Sequence, residues 1–302
     1  MTDVDRVQLC QLINPPTPKA IMAEVKRIFS YHYPVKSFSN VHLTYTLTKK
    51  LFEGKFPGYK ACNTRYHDLA HTLDALLTAA RLFDGYNIKK TPLPENLVVD
   101  LLISTLLHDT GYIQDNTDNE GTGAKYTTSH VERSVKFLQK NYKALEINPD
   151  DIMIYTDMIH CTGLMVRIEA VPFSSDEEKI AGCMLGTADL LGQMSDRAYL
   201  EKLLFLYYEF KEAGVKGFDT EFDLVRKTAD FYEITKKRLT GSYLSTYIYA
   251  QYHFEKRYGV NRNLYIEAID RHMGYLHKII EDAATNFRHK LKRGKWVHTY
   301  TG

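Results

Sequence analysis

Four imidazoles and two carboxylates occur where the sequence pattern places helix ends or inward faces: His71, the adjacent His108 and Asp109, His130, His160 and Asp189. His67 stands four residues before His71, in the stretch RYHDLAHTLDALLTAARLF. Residues at that spacing share a helix face, so both rings can point into one space. His108 and Asp109 end a run that is otherwise Leu, Ile and Val, where an imidazole and an ionised carboxylate are costly unless something satisfies them. A divalent cation would do so. Imidazole and carboxylate without thiolate suit Zn, Mn, Fe or Mg, and two carboxylates permit one to bridge two ions. Such a centre suits phosphoester hydrolysis: cations bind the phosphoryl oxygens and lower the pKa of a water for in-line attack, and a protonated imidazole donates to the leaving oxygen. Each residue alone also has an ordinary use. Paired histidines can sit at the rim of a core, a histidine at a helix start can be solvated, and a mid-helix Asp can bond a neighbouring backbone.

The elements that must carry these residues read as helices, because apolar residues recur at spacings of three and four nearly everywhere and sustained alternation is scarce. PPTPKAIMAEVKRIF predicts a helix entered through prolines, with Ala20, Ile21, Val25 and Ile28 on one side. NVHLTYTLTKKLF continues the helical pattern less clearly, and its Thr and Tyr content leaves room for a strand. The helix bearing His71 is expected to stop near Gly85, and TPLPENLVVDLLISTLLHD to run through the middle of the fold and close at Gly111. A glycine-containing loop, DNTDNEGTGAKYTTS, leads to a helix opened by His130. NPDDIMIYTDMIHCT ends on His160, with Asn148 or Asp150 as its cap. SSDEEKIAGCMLGTADLLGQM starts with the Ser and acidic residues that suit a helix N-terminus and carries Asp189 inside. Four more helices rich in Tyr and Phe follow Arg197. Most of those rings should build core, while Tyr247, Tyr252 and Phe254 are candidates to wall a pocket and stack on a base. The basic tail KLKRGKWVHTYTG reads as a solvated, disordered end.

Composition narrows the partners. Lys and Arg number 39 against 37 for Asp and Glu, a balance that gives no reason to expect nucleic acid or an anionic membrane surface. The longest apolar run is interrupted by Asp100 and too short to span a bilayer. The N-terminus, with early acids and no long apolar core, is unlike a signal peptide. Cys10, Cys62, Cys161 and Cys183 lie far apart without CxxC spacing, as reduced thiols of a cytosolic protein would.

The HD of LLHDTGY, with an upstream His and a downstream Asp, resembles the HD-domain superfamily of metal-dependent phosphohydrolases, and YHDLAH resembles the YHNxxH motif of class I cyclic nucleotide phosphodiesterases within it. The resemblance covers roughly Tyr66 to Met194. It implies an all-α, multi-helix, phosphodiesterase-like bundle. Because no internal repeat or low-complexity linker interrupts the chain, one helical domain is expected over 1–302, with a metal-site core at about 60–195 and the aromatic-rich helices at about 196–290 packed on it. It implies that His71, His108, Asp109 and Asp189 hold one or two divalent ions (Mn, Fe, Zn, Mg or Ni) and that His67 is the general acid. By analogy with the HD-GYP type, His130 and His160 complete a second ion site. Gln193 and Gln251 are candidates for the glutamine that grips a purine. Asp68 replaces the motif's Asn, Tyr112 stands where those enzymes have another histidine, and Cys161 follows His160 in place of the second histidine of HD-GYP proteins.

The expected function is therefore hydrolysis of a small phosphorylated substrate, a nucleotide or a 3',5'-cyclic nucleotide, by a cytoplasmic enzyme. The alternatives are a nucleotide phosphatase, an alarmone-type hydrolase whose HDxxED is absent here, a di-iron oxygenase using the same ligands, and a metal-stabilised helical sensor or interaction module without turnover.

Overall fold

The computed structural model describes residues 6–14, 16–282, 285–293, 295–298 and 300. Among them the architecture is all-α: α1 (Pro18–Phe29), α2 (Ser39–Phe52), α3 (Leu69–Lys89), α4 (Glu95–Leu107), α5 (His130–Asn141), α6 (Ile152–His160), α7 (Asp176–Ser195), α8 (Tyr199–Glu212), α9 (Glu221–Thr240), α10 (Tyr249–Tyr258) and α11 (Leu264–Glu281). Short 3-10 turns join several of them.

Local chemistry explains most boundaries. Thr17 caps α1 by accepting from the Ala20 amide, with Pro18 in the first turn where its missing N–H costs nothing. Ser175 caps α7, followed by Asp176, Glu177 and Glu178 against the positive end of the helix. Asn148 caps a 3-10 turn that leads into α6. One sequence expectation holds and one shifts. NVHLTYTLTKKLF is helix α2, its Val41, Thr44, Thr48 and Leu51 forming a buried stripe at spacings of three and four. Gly85 does not end α3, which runs on to Lys89. A Cβ at Gly85 would lie 1.7 Å from the Tyr249 carbonyl oxygen, so the glycine is there to let α10 lie against α3.

α3 is the hub, packing on α1, α4, α7 and α10. Its approach to α7 is close: a Cβ on Gly192 would sit 3.0 Å from the Ala75 amide nitrogen. Gly192 is three residues past Asp189 and Ala75 four past His71, so this small-residue contact sets the two prospective ligands against each other. The core is one continuous cluster reaching from Ile21 on α1 to Ile279 on α11. Parts of the basic tail join it: Leu291 and Val297 are buried, and the Arg65 guanidinium lies 4.9 Å from the Tyr300 ring centroid. Lys292 and Arg293 are exposed, so the charge run is solvated as expected, while the burial of Leu291 and Val297 corrects the expectation of disorder at those positions. All four cysteines are free. No helix among the described residues is long and apolar enough to cross a membrane.

Candidate metal centre

His71, His108, Asp109 and Asp189 meet where α3, α4 and α7 converge. His71 is in the first turn of α3, whose cap Asp68 accepts from the His71 amide at 2.9 Å. His108 ends α4, and Asp109 follows in a non-helical conformation that turns its carboxylate inward. Asp189 lies within α7. His71 Nε2 stands 3.2 Å from Asp109 Oδ2 and 3.1 Å from Asp189 Oδ1. The corresponding distances from His108 Nε2 are 3.3 and 3.7 Å. Ligating atoms of His71, His108 and Asp109 all fall within 4.8 Å of one another, and all three side chains are buried.

The donor chemistry fits a cation. His108 Nδ1 donates to the Thr105 carbonyl at 2.7 Å, so that in a neutral, ligating ring the Nε2 lone pair would face the cluster. That Nε2 and Asp109 Oδ2 are fully buried with no hydrogen-bond partner. A buried polar atom without a partner costs about 1–3 kcal/mol, and two facing each other across 3.3 Å form a seat for positive charge. The local field agrees. Burial alone would push His71 down, but Asp109 and Asp189 outweigh it and raise its pKa well above the usual range. Burial likewise opposes ionisation of Asp109, yet His108 and His71 hold its pKa well below the carboxylate range.

His130 opens α5 at the edge of this cluster. Its Nδ1 donates to the Thr127 carbonyl at 2.7 Å and its Nε2 lies 3.8 Å from Asp109 Oδ1. Burial, only partly offset by Asp109, lowers its pKa and favours the neutral, ligating ring. Gly111 makes this placement possible, since a Cβ there would lie 1.9 Å from the His130 carbonyl oxygen. His160 ends α6 as expected, but its Nε2 pairs with Glu132 at 3.1 Å on a partly exposed surface. The structure does not bring it to Asp109: α5 presents Glu132 to it, and the two satisfy each other.

His67 is beside the centre for a reason the spacing did not contain. Asp68 is extended and caps α3, so His67 precedes the helix and shares no face with His71. The two ring centroids are nevertheless 5.7 Å apart and perpendicular. What aims His67 is Glu209 on α8: its Oε2 accepts from His67 Nδ1 at 2.7 Å, while its Oε1 accepts from the amides of Arg65 and Tyr66 at 2.8 and 2.7 Å. The carboxylate therefore fixes both the ring and the loop that bears it. Asp68 serves as the cap, and the orienting role falls to Glu209. Glu209 escaped the sequence reading although a signal was present: it is an acid four residues after buried Phe205 on an aromatic-rich helix, and it is itself buried. Tyr112, in the position of the missing histidine, stacks on both the His67 and His130 rings at centroid distances of 4.3 and 4.6 Å, and those two rings are 6.2 Å apart.

The glutamine candidates separate. Gln193 borders the site, yet its amide oxygen accepts from Tyr66 Oη at 2.8 Å and its amide nitrogen donates toward Asp189 at 3.3 Å, so it braces a prospective ligand. Gln251 bonds Asn261 on α10's outer side and lines no part of the cavity at the centre. Tyr247, in the 3-10 turn before α10, is likewise absent from its walls, as are Tyr252 and Phe254, because α10 packs on the far half of α3 around Gly85. Phe254 is wholly buried there.

Residues 115–248 match a family model described as Npun_R2479-like. That stretch includes His130, Asp189 and Glu209 and excludes His67, His71, His108 and Asp109. No curated protein matches the chain.

Proposed function

We propose that this protein is a metal-dependent hydrolase of phosphoesters. The observation that carries the reading is the pair of buried, unpartnered donor atoms, His108 Nε2 and Asp109 Oδ2, beside a histidine that a carboxylate orients. His71, His108, Asp109 and Asp189 would hold one ion, and His130 would contribute to a second through its place beside Asp109. A divalent ion bound there supplies Lewis-acid activation of the phosphoryl group and of water.

The chain's own residues supply the remaining roles. Glu209 fixes His67 Nδ1 as a donor, so Nε2 is the nitrogen that exchanges a proton with a bound ester. Water adds to phosphorus and gives up one proton to solvent, the bond to the leaving oxygen breaks, and the His67 Nε2 proton passes to that oxygen, so that alcohol and hydrogen phosphate leave and solvent restores the proton on His67. Tyr112 and His130 hold the His67 ring in plane by stacking. The burial of His71, His108 and Asp109 strengthens each electrostatic contact among them.

The test is His67→Ala with manganese-loaded protein. Metal content should stay near that of the parent, while turnover of an alkyl or unactivated aryl ester falls roughly 10²–10⁴-fold, the usual range for a general acid. The loss should shrink for a nitrophenyl ester, whose oxygen departs without a proton. Equal losses on both ester types, or loss of the metal, would remove His67 from the acid role. No hydrolysis of any phosphoester by metal-loaded parent protein would overturn the hydrolase reading.

A further inference from the structure

A cavity of about 510 Å³ opens from the metal centre, with His67, Asp109, His130 and Asp189 at its head. That volume lies within the range of sites for drug-sized molecules. Away from the head it is walled chiefly by Leu203, Leu206 and Phe210 of α8, Phe218 of the following loop, and Leu224 and Phe231 of α9. The polar lining residues on those two helices are Tyr199, Lys227 and Thr228. Two of them are already engaged: Lys227 donates to the Gly217 carbonyl beside the Phe218 ring, and Thr228 donates to the Leu224 carbonyl. At the head, both ends of the Gln193 amide are committed to Tyr66 and Asp189. Exposed Leu164 and Met165 extend the apolar surface to the rim.

From this arrangement we infer that the substrate's non-reacting part is apolar: the site takes a monophosphate ester of an alkyl-aryl or aliphatic alcohol, with the phosphoryl group at the metal centre and the hydrocarbon body between α8 and α9. The inference rests on the hydrolase reading for the phosphoryl end and on the cavity walls alone for the body. A polyphosphate would bring several charges to a wall with one cation, and that cation is held against Phe218 and Gly217. A purine would find its edge-reading glutamine occupied. Apolar walls instead reward each methylene removed from water, by about fourfold in affinity per fully buried group.

Calorimetric titration of chelator-treated protein with the product alcohols phenol and 4-butylphenol, and with adenosine and adenosine monophosphate, tests the body independently of turnover. Affinity should rise at least about tenfold from phenol to 4-butylphenol, with a negative heat-capacity change, and both adenine compounds should bind more weakly than 4-butylphenol. Leu206→Ser on α8 and Phe231→Ser on α9, both at half-buried positions, should each flatten the gradient, so one unstable variant leaves the other to decide. A gradient under about threefold, a gradient unchanged in both variants, or adenine compounds binding as tightly as 4-butylphenol would overturn the inference. Manganese-loaded protein assayed with phenyl phosphate, 4-butylphenyl phosphate and 3',5'-cyclic adenosine monophosphate separates the two claims. Faster turnover of the cyclic nucleotide would sink the apolar body and keep the hydrolase. A surviving binding gradient with no ester hydrolysed would keep the apolar body and sink the hydrolase.

Discussion

Replacing Asp109 by Asn changes one atom and the charge, leaving the volume and the adjoining backbone as they are. In the parent protein Asp109 Oδ2 lies 3.2 Å from His71 Nε2 and 3.3 Å from His108 Nε2, with the side chain buried. An ion seated among these atoms binds the folded chain alone, because the ligands come from helices that unfolding separates. At a free-ion concentration one hundred times its dissociation constant it adds about 2.7 kcal/mol to stability. A chain of 302 residues carries an unfolding entropy of roughly 0.6 kcal/mol/K, so the melting temperature should rise by about 4 °C over the chelator-treated protein. Asp109→Asn removes the negative ligand and should reduce that metal-minus-chelator difference to under about 1 °C, with metal content by mass spectrometry falling in parallel. The difference within each protein is the readout, so any change in stability of the metal-free variant cancels. Full metal content and an undiminished shift in Asp109→Asn would refute the ligand assignment.

Glu209→Gln should keep metal and fold while lowering turnover by about 10–100-fold, the scale expected when the partner that orients a working histidine is changed; parent-like kinetics would show that Glu209 only anchors the loop at Arg65 and Tyr66. His130→Ala should weaken binding of any second ion, whereas His160→Ala, which breaks a surface pair with Glu132, should leave metal content unchanged; the reverse pattern would place the second site elsewhere. Away from the centre, burial pushes His253 down to about 4 even though its Nδ1 donates to Asp84. Its pKa in the unfolded chain is about 6.5, so the unfolded state takes the proton first, and stability present above about pH 6.5 is lost as pH falls toward 4. The contribution is about 3 kcal/mol, and urea unfolding of His253→Gln should show a correspondingly shallower fall across that window than the parent; equal slopes would refute it.

The sequence determined the helical class and most helix positions, because periodicity and caps are local. Thr17 with Pro18 and Ser175 with its acidic neighbours act within a few residues, and so could be read directly. It also exposed the prospective ligands His71, His108, Asp109 and Asp189 by type and setting, since imidazole and carboxylate at apolar helix ends demand a partner. Local pattern misplaced what depends on distant chain. Gly85 reads as a stop until α10 is seen lying on it, and α2's Thr and Tyr allow a strand until its buried stripe is seen. His67 is aimed by Glu209, 142 residues away. Among the outlying candidates, His130 came to Asp109 and His160 to Glu132, although both are histidines at helix ends. Gln193 and Gln251 parted in the same way. The apolar cavity is the plainest case, because its walls come from Leu and Phe residues that any core would use. Residue type says which groups need a partner; only packing, which sets distances between segments far apart in the chain, says which partner each one meets.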